Sequence, residues 1–231
     1  MIEADIIMVC WNHLAFTQRA IASIRENTIV PYRLIVSAAG STDGTCEWLA
    51  AQDDIVAIID GPNLGIEPAT NRALEISTAP YVVLIGNDVE VGRGWLGELI
   101  EGLENNPGVG IIFAMEGSNA QTVPSPGAVR ITVQPQGTTC CVLRHEVIQD
   151  IGLLDERFAF AYNGDSDYCY RIKLAGWKFA EHHGVLFRHD PSTTIKATGK
   201  YDEYVALGKQ RLREKWPDVP WEEPWLYKEP H

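Results

Sequence analysis

No apolar run in this chain exceeds about seven residues, far short of the roughly 20 that a membrane-spanning helix needs. Basic residues are scarce: 19 Lys and Arg stand against 31 Asp and Glu, a net charge of −12. Nucleic-acid binding requires a cationic surface that displaces counterions, so nucleic acid is not an expected partner. The opening Met1-Ile2-Glu3-Ala4-Asp5 has no basic segment, so no signal peptide is expected. The five cysteines are an odd number without CxxC spacing, and Cys140 and Cys141 are adjacent. That pattern suits neither a zinc knuckle nor a disulfide framework, so reduced thiols and a cytoplasmic location are expected. Tandem repeats and low-complexity blocks are also missing.

What is present is ordinary globular material. The 231 residues are 45% hydrophobic and 22% charged, enough for one α/β domain with a sizeable core. Asp5 to Trp11 (DIIMVCW), Arg33 to Ser37, Ile55 to Ile59, Tyr81 to Ile85 and Val109 to Phe113 read as strands, near-continuously apolar as buried parallel strands are. Between them, Leu14 to Asn27, Thr45 to Ala51, Ile66 to Ser77 and Trp95 to Leu103 have helical spacing. This alternation predicts a parallel, doubly wound sheet, whose ligands lie at the carboxyl ends of its strands. Gly117 to Pro135 carries prolines and small polar residues and predicts a long surface loop or a β excursion over the site. Beyond it, Thr138 to Leu143 reads as a strand and a helix starts near His145. Asp165 to Ala175 is helical, Val185 to His189 is a last strand, and Tyr201 to Trp216 is a helix before a Trp- and Pro-rich tail.

Four segments carry candidate chemistry. Ser41-Thr42-Asp43-Gly44-Thr45 follows a strand; Asp43 suits a turn or helix cap as well as a ligand contact. Asn63-Leu64-Gly65, with Asn71 eight residues on, follows a strand and opens a helix, where amides favour anions. Gly86-Asn87-Asp88 ends the YVVLI strand, at the ligand-binding edge of a parallel sheet. Asp165-Ser166-Asp167-Tyr168 starts a helix, where acids also complement the macrodipole, and His189 ends a later strand.

These landmarks, with GLLDERF before the aspartates and AGWK after them, resemble the family 2 glycosyltransferases of the GT-A fold over about four-fifths of the chain. The resemblance is to the inverting, rhamnosyltransferase-like type of bacterial glycan synthesis. It implies a GT-A, Rossmann-like α/β fold: residues 1–115 as the nucleotide-sugar half, 116–200 as the acceptor half, and 201–231 as a helix and tail packed on the domain. It also implies transfer of a sugar from a nucleotide-sugar donor to a hydroxyl of a glycan, lipid-linked or protein acceptor, in glycan or polysaccharide synthesis. Asp165 would be the catalytic base, and Asp88 and His189 would hold Mn²⁺ or Mg²⁺, with Asp190 as an acidic alternative. Asp43, Asn63, Gly65, Asn71 and Asn87 would contact the donor; Arg72, Arg93 and Arg144 are weaker candidates for its diphosphate.

The sequence departs from the family's pattern at four places. Ala38 and Ala39 stand where an acid that reads the nucleotide base is usual. Gly86 replaces the first acid of the metal motif, and Gly164 replaces the acid before Asp165, which breaks an acidic pair. These losses keep open a degenerate, catalytically weak binding protein. A nucleotidyltransferase has less support, because no glycine- and lysine-rich phosphate loop lies near the N-terminus. The basic run Lys209, Arg211, Arg213 and Lys215 suits either a solvated helix face or peripheral contact with an anionic membrane.

Overall fold

The computed structural model describes residues 2–125, 127–133, 135, 137–160, 162–190 and 199–219. The apolar runs form one half of a single sheet: β1 (Ala4–Val9), β2 (Tyr32–Ser37), β3 (Ile55–Ile58) and β4 (Tyr81–Gly86), with β3 at its edge. They lie parallel in the order β3-β2-β1-β4. Next to β4 the predicted pattern changes. Strand β9 (Cys140–Arg144) is antiparallel to both its neighbours, β4 and β6 (Val109–Glu116). Strand β10 (Lys178–His189) then lies parallel to β6. The sheet is therefore mostly parallel, with one reversed strand inside it.

Alternation along each strand divides the core. Ile6, Met8, Val83 and Ile85 face one layer, with α1 (Leu14–Asn27), α2 (Thr45–Ala50) and α4 (Trp95–Glu104). Ile7, Val82 and Leu84 face the other, with α3 (Ile66–Leu74), α5 (His145–Ile151) and α6 (Gly164–Leu174). Helix α1 buries Thr17, Ala20, Ile21 and Ile24, the i, i+3, i+4, i+7 stripe of an amphipathic helix. Helix α3 stops at Leu74 rather than Ser77, because the next residues turn to serve a buried acid. Ser77 Oγ and the amides of Thr78 and Ala79 donate to fully buried Asp5, which also pairs with Arg33 at 2.7 Å. Burial alone would raise the Asp5 pKa; these donors outweigh it and hold the carboxyl below its ordinary range.

The stretch after Gly117 is a β excursion. It contributes β7 (Gln121–Thr122) and β8 (Val129–Thr132), which add antiparallel to the outer edge of β10. Strand β10 is longer than the predicted Val185 to His189, and its register slips between His182 and Leu186. Its last residues also pair with β5 (Val89–Glu90), His189 opposite Val89. A 3₁₀ turn (Glu156–Phe158) leads towards α6, and α7 (Tyr201–Lys215) packs back on the domain. Trp216 meets Tyr170 edge-on at 4.9 Å. Trp221, Trp225 and Tyr227 lie outside the described residues. Two members of the basic run turn inward: Arg211 donates to the Ala159 carbonyl, and Lys215 binds Asp155 and Asp167. They do not form part of an outward cationic stripe. Among the described residues, no helix is long and apolar enough to cross a membrane.

Candidate active site

A cleft of about 600 Å³ opens at the carboxyl ends of β1, β2 and β4, where a doubly wound sheet receives ligands. Asn63, Gly65, Asn87, Asp88, Asp165 and His189 all line it. Residues far apart in sequence, Asn63 and His189 among them, thus share one cleft.

The pairing of β10 with β5 explains one corner. Because His189 sits opposite Val89, its ring reaches Asp88, Nε2 to Oδ1 at 3.4 Å. The Asp190 amide donates to the Asp88 carbonyl and fixes the turn. The hydrogen bond with Asp88 raises the His189 pKa, against the opposing effect of burial. Nδ1 of His189 is buried without a hydrogen-bond partner, and Glu116 Oε2 lies 3.6 Å away. One carboxylate and one imidazole fit a borderline cation such as Mn²⁺, provided phosphate oxygens and water complete its shell. Among the described residues, no group of three or more His, Cys, Asp or Glu could hold a metal alone. Asp190 does not join this corner; its carboxylate binds Arg19 at 2.8 Å.

Asp165 lines the same cleft, in the first turn of α6. Its Oδ1 accepts from the Ser166 amide at 2.8 Å. Burial raises its pKa above the ordinary carboxylate range, against that hydrogen bond. A carboxylate so placed is a stronger proton acceptor than one in water. Asp167, the neighbouring acid, points away and pairs with Arg171 at 3.1 Å, as the four-residue spacing suggests.

The other candidates divide. Asn63 lines the cleft while its Oδ1 accepts from the Gly65 amide. Gly65 has φ +96°, and a β-carbon there would lie 2.9 Å from Phe160 N. The close approach it permits is therefore to its own chain. Asn87 Nδ2 donates to Thr17 Oγ1 beside the cleft. Arg72 lines the cleft and donates to the Asp60 carbonyl. Asn71 departs from expectation: it is buried, exchanges hydrogen bonds with the Leu154 backbone, and does not line the cleft. Arg144 likewise serves the Val109 carbonyl, away from the site.

Asp43 also works as a structural residue. It accepts from the Leu14 amide at the start of α1 and from the Thr45 amide at the start of α2. Neither helix has a side-chain cap from its own N-cap residue, so one carboxylate serves both. Asp43→Ala is expected to cost about 1–2 kcal/mol of stability in denaturant unfolding, the scale of a lost cap.

Among the wall residues that the sequence does not single out are Trp11, Ser37 and Glu67. Trp11 and Ser37 end β-strand runs and looked like core. Ser37 Oγ is buried with no hydrogen-bond partner, beside Ala38 and Ala39. Glu67 looked like an ordinary first-turn acid of α3. Yet it is 5% exposed, and its Oε2 has no partner. The cysteines carry no reactive thiolate: burial pushes the Cys10 and Cys141 thiols up to about 12.

The model of Glycosyl transferase family 2 matches residues 5–173. The chain belongs to that family. The family 2 match takes in Asp88 and Asp165 and ends within α6, before His189. The pre-mycofactocin glycosyltransferase of Mycobacterium tuberculosis is 25% identical, over 84% of this chain and 44% of that protein. The uncharacterized protein y4gI of Sinorhizobium fredii is 25% identical, over 83% of this chain and 26% of its own length. This family 2 chain thus spans less than half the length of these curated relatives. The crystal structure of S. aureus TarS superposes with a TM-score of 0.68 at 14% identity, over 81% of this chain and 36% of that one. That likeness gives the fold: GT-A.

Proposed function

We propose that this family 2 chain is an inverting glycosyltransferase that moves a sugar from a nucleotide-sugar to a hydroxyl acceptor in glycan synthesis. The observation that carries this reading is a single cleft lined by both a proton-accepting acid and a metal-competent pair. Asp165 accepts the proton of the acceptor hydroxyl as its oxygen attacks the anomeric carbon from the side opposite the leaving diphosphate. The partly buried setting of Asp165, which raises its pKa, matches that task. Asp88 and His189 would hold a divalent cation, Mn²⁺ by preference, and when bound that ion neutralises charge on the departing nucleoside diphosphate. Asn63 and Asn87 offer the donor neutral polar contacts. No nucleophilic side chain is required, because inversion proceeds by one displacement.

The base-reading end favours a second reading. Ala38 and Ala39 carry no polar side-chain group there, and Asp43 is committed to two helix caps. A protein that binds glycan or nucleotide weakly and turns nothing over fits those losses. Calorimetric titration with UDP, GDP, dTDP and CDP, with and without Mn²⁺, separates the two. The transferase reading expects one nucleotide to bind at least about tenfold more tightly with Mn²⁺, and Asp88→Ala to erase that difference. Failure of all four nucleotides to bind a folded sample rejects it in favour of the binding protein.

A further inference from the structure

The carboxyl of Glu67 has no role in the proposed reaction, yet its placement is unusually costly. Its side chain reaches from the first turn of α3 across to the start of α6. A β-carbon built on Gly164 would lie 2.9 Å from Glu67 Cδ and closer still to Oε1. The space that a side chain at 164 would occupy is therefore filled by Glu67. Gly164 does not have a positive φ, so its backbone admits any residue; the nearest atoms that exclude one all belong to Glu67. Glu67 Oε2 is a buried acceptor without a partner, on the wall of the cleft that holds Asp165. Leaving such an atom unsatisfied costs about 1–3 kcal/mol, which marks it as a group awaiting a ligand.

We propose that Glu67 is the second carboxyl of this site, a proton-holding partner of Asp165 that supplies from α3 the acid missing at position 164 and binds a hydroxyl of the sugar acceptor. The inference rests on the transferase reading only for the identity of that hydroxyl. A neutral carboxyl offers one donor and one acceptor, the complement of a hydroxyl. Two carboxyls in one water-poor wall do not both ionise cheaply, so one keeps its proton and the other is free to take one. The groups around Glu67 agree with that division. Burial, then the charge of Asp165 on α6, raise its pKa to about 8 against its own backbone hydrogen bond; Asp155 adds to the rise and Arg211 on α7 opposes it.

The sign of the resulting pH dependence is fixed. Glu67 titrates near 4.5 in the unfolded chain and near 8 in the folded one. Between those values the folded chain holds the extra proton, so stability falls as pH rises. Glu67→Gln keeps the shape and removes the titration.

The test combines melting temperature against pH with release of nucleoside diphosphate from UDP-, GDP-, dTDP- and CDP-linked hexoses, water or a free sugar serving as acceptor. We expect Glu67→Gln to gain on wild type from about pH 5 to about pH 9, and Asp165→Asn to move the Glu67 titration downward. Glu67→Ala should lower turnover about 30-fold with nucleotide binding unchanged, and Glu67→Gln should remove the alkaline limb of the pH profile, where wild-type Glu67 loses its proton. Gly164→Asp should destabilise the protein while Glu67 is present, and Glu67→Ala combined with Gly164→Asp should melt higher than Gly164→Asp alone and regain about tenfold in turnover. Equal pH slopes in wild type and Glu67→Gln, or Gly164→Asp tolerated equally with and without Glu67, overturn the pair. Should wild type release no nucleoside diphosphate, the transferase reading falls. The melting comparisons then decide Glu67 alone: diverging slopes support the proton-sharing pair, coincident ones overturn it.

Discussion

Asp165→Asn is expected to lower sugar transfer by about 10²–10⁴-fold, the range general-base catalysis supplies, and to leave nucleotide affinity within about twofold. The substitution is nearly isosteric. An asparagine oxygen can still accept from the Ser166 amide, so the first turn of α6 keeps its geometry. What disappears is the ability to take a proton. The wild-type profile should also carry a mark of the burial of Asp165. Its pKa lies above the ordinary carboxylate range, so activity should fall, as pH is lowered, earlier than for a solvated aspartate. Single-turnover release of nucleoside diphosphate measures the first effect, and its pH profile the second. Equal turnover in the variant would remove Asp165 as the base, whatever the pH profile.

Much of this arrangement is legible in the linear chain, and the reasons differ by element. Strand β4, and β1 apart from Asp5, are apolar runs because both faces of a doubly wound sheet are covered; the pattern states the burial directly. Asp88 and Asp165 are legible because each follows a clear element boundary, where ligand-binding groups collect. The direction of β9 is not legible. Cys140 to Arg144 is an apolar run that reads the same whichever way it runs, and only its pairing with β4 and β6 reverses it. The early half of β10 mixes Lys, Glu and His with apolar residues and so hides a strand whose edge is shared with β7 and β8.

The site residues that mislead do so through distant partners. Asn71 looks like a ligand contact, but its hydrogen bonds go to Leu154, 83 positions away. Asp43 joins the start of α2 to a helix that begins 29 positions earlier. Glu67 is the opposite case. Its spacing marks a helix start, and nothing near it in sequence tells that α6 will close over it or that Gly164 leaves room for its carboxyl. Short-range pattern reports elements well; it does not report which polar groups the fold has already used.

The largest expected loss of stability follows from Asp167, two residues beyond the proposed base. Its fully buried carboxylate accepts from Arg171 Nε at 3.1 Å, Trp216 Nε1 at 2.8 Å and Lys215 Nζ at 2.7 Å. Lys215 also binds Asp155 at 2.7 Å, and Arg171 reaches the carbonyls of Ile151 and Leu153. One acid thus fastens α6 to α7 and to the loop before the 3₁₀ turn. Asp167→Ala leaves two mostly buried cations short of a counter-charge, a defect that costs about 3–5 kcal/mol. In a domain of this size that is a fall of roughly 10 °C in melting temperature. Asp155→Ala should cost less, because Lys215 keeps Asp167. Trp216→Phe should cost about 1 kcal/mol, a single neutral donor lost. The decisive measurement is a double-mutant cycle in denaturant with Lys215→Met. If the cation stranded by Asp167→Ala causes the loss, removing Lys215 first should recover about 1–3 kcal/mol of it. Strict additivity would show that the damage is local to α6. Because Asp165 shares that first helical turn, a coupled network also predicts that Asp167→Ala lowers turnover at temperatures where the protein is still folded.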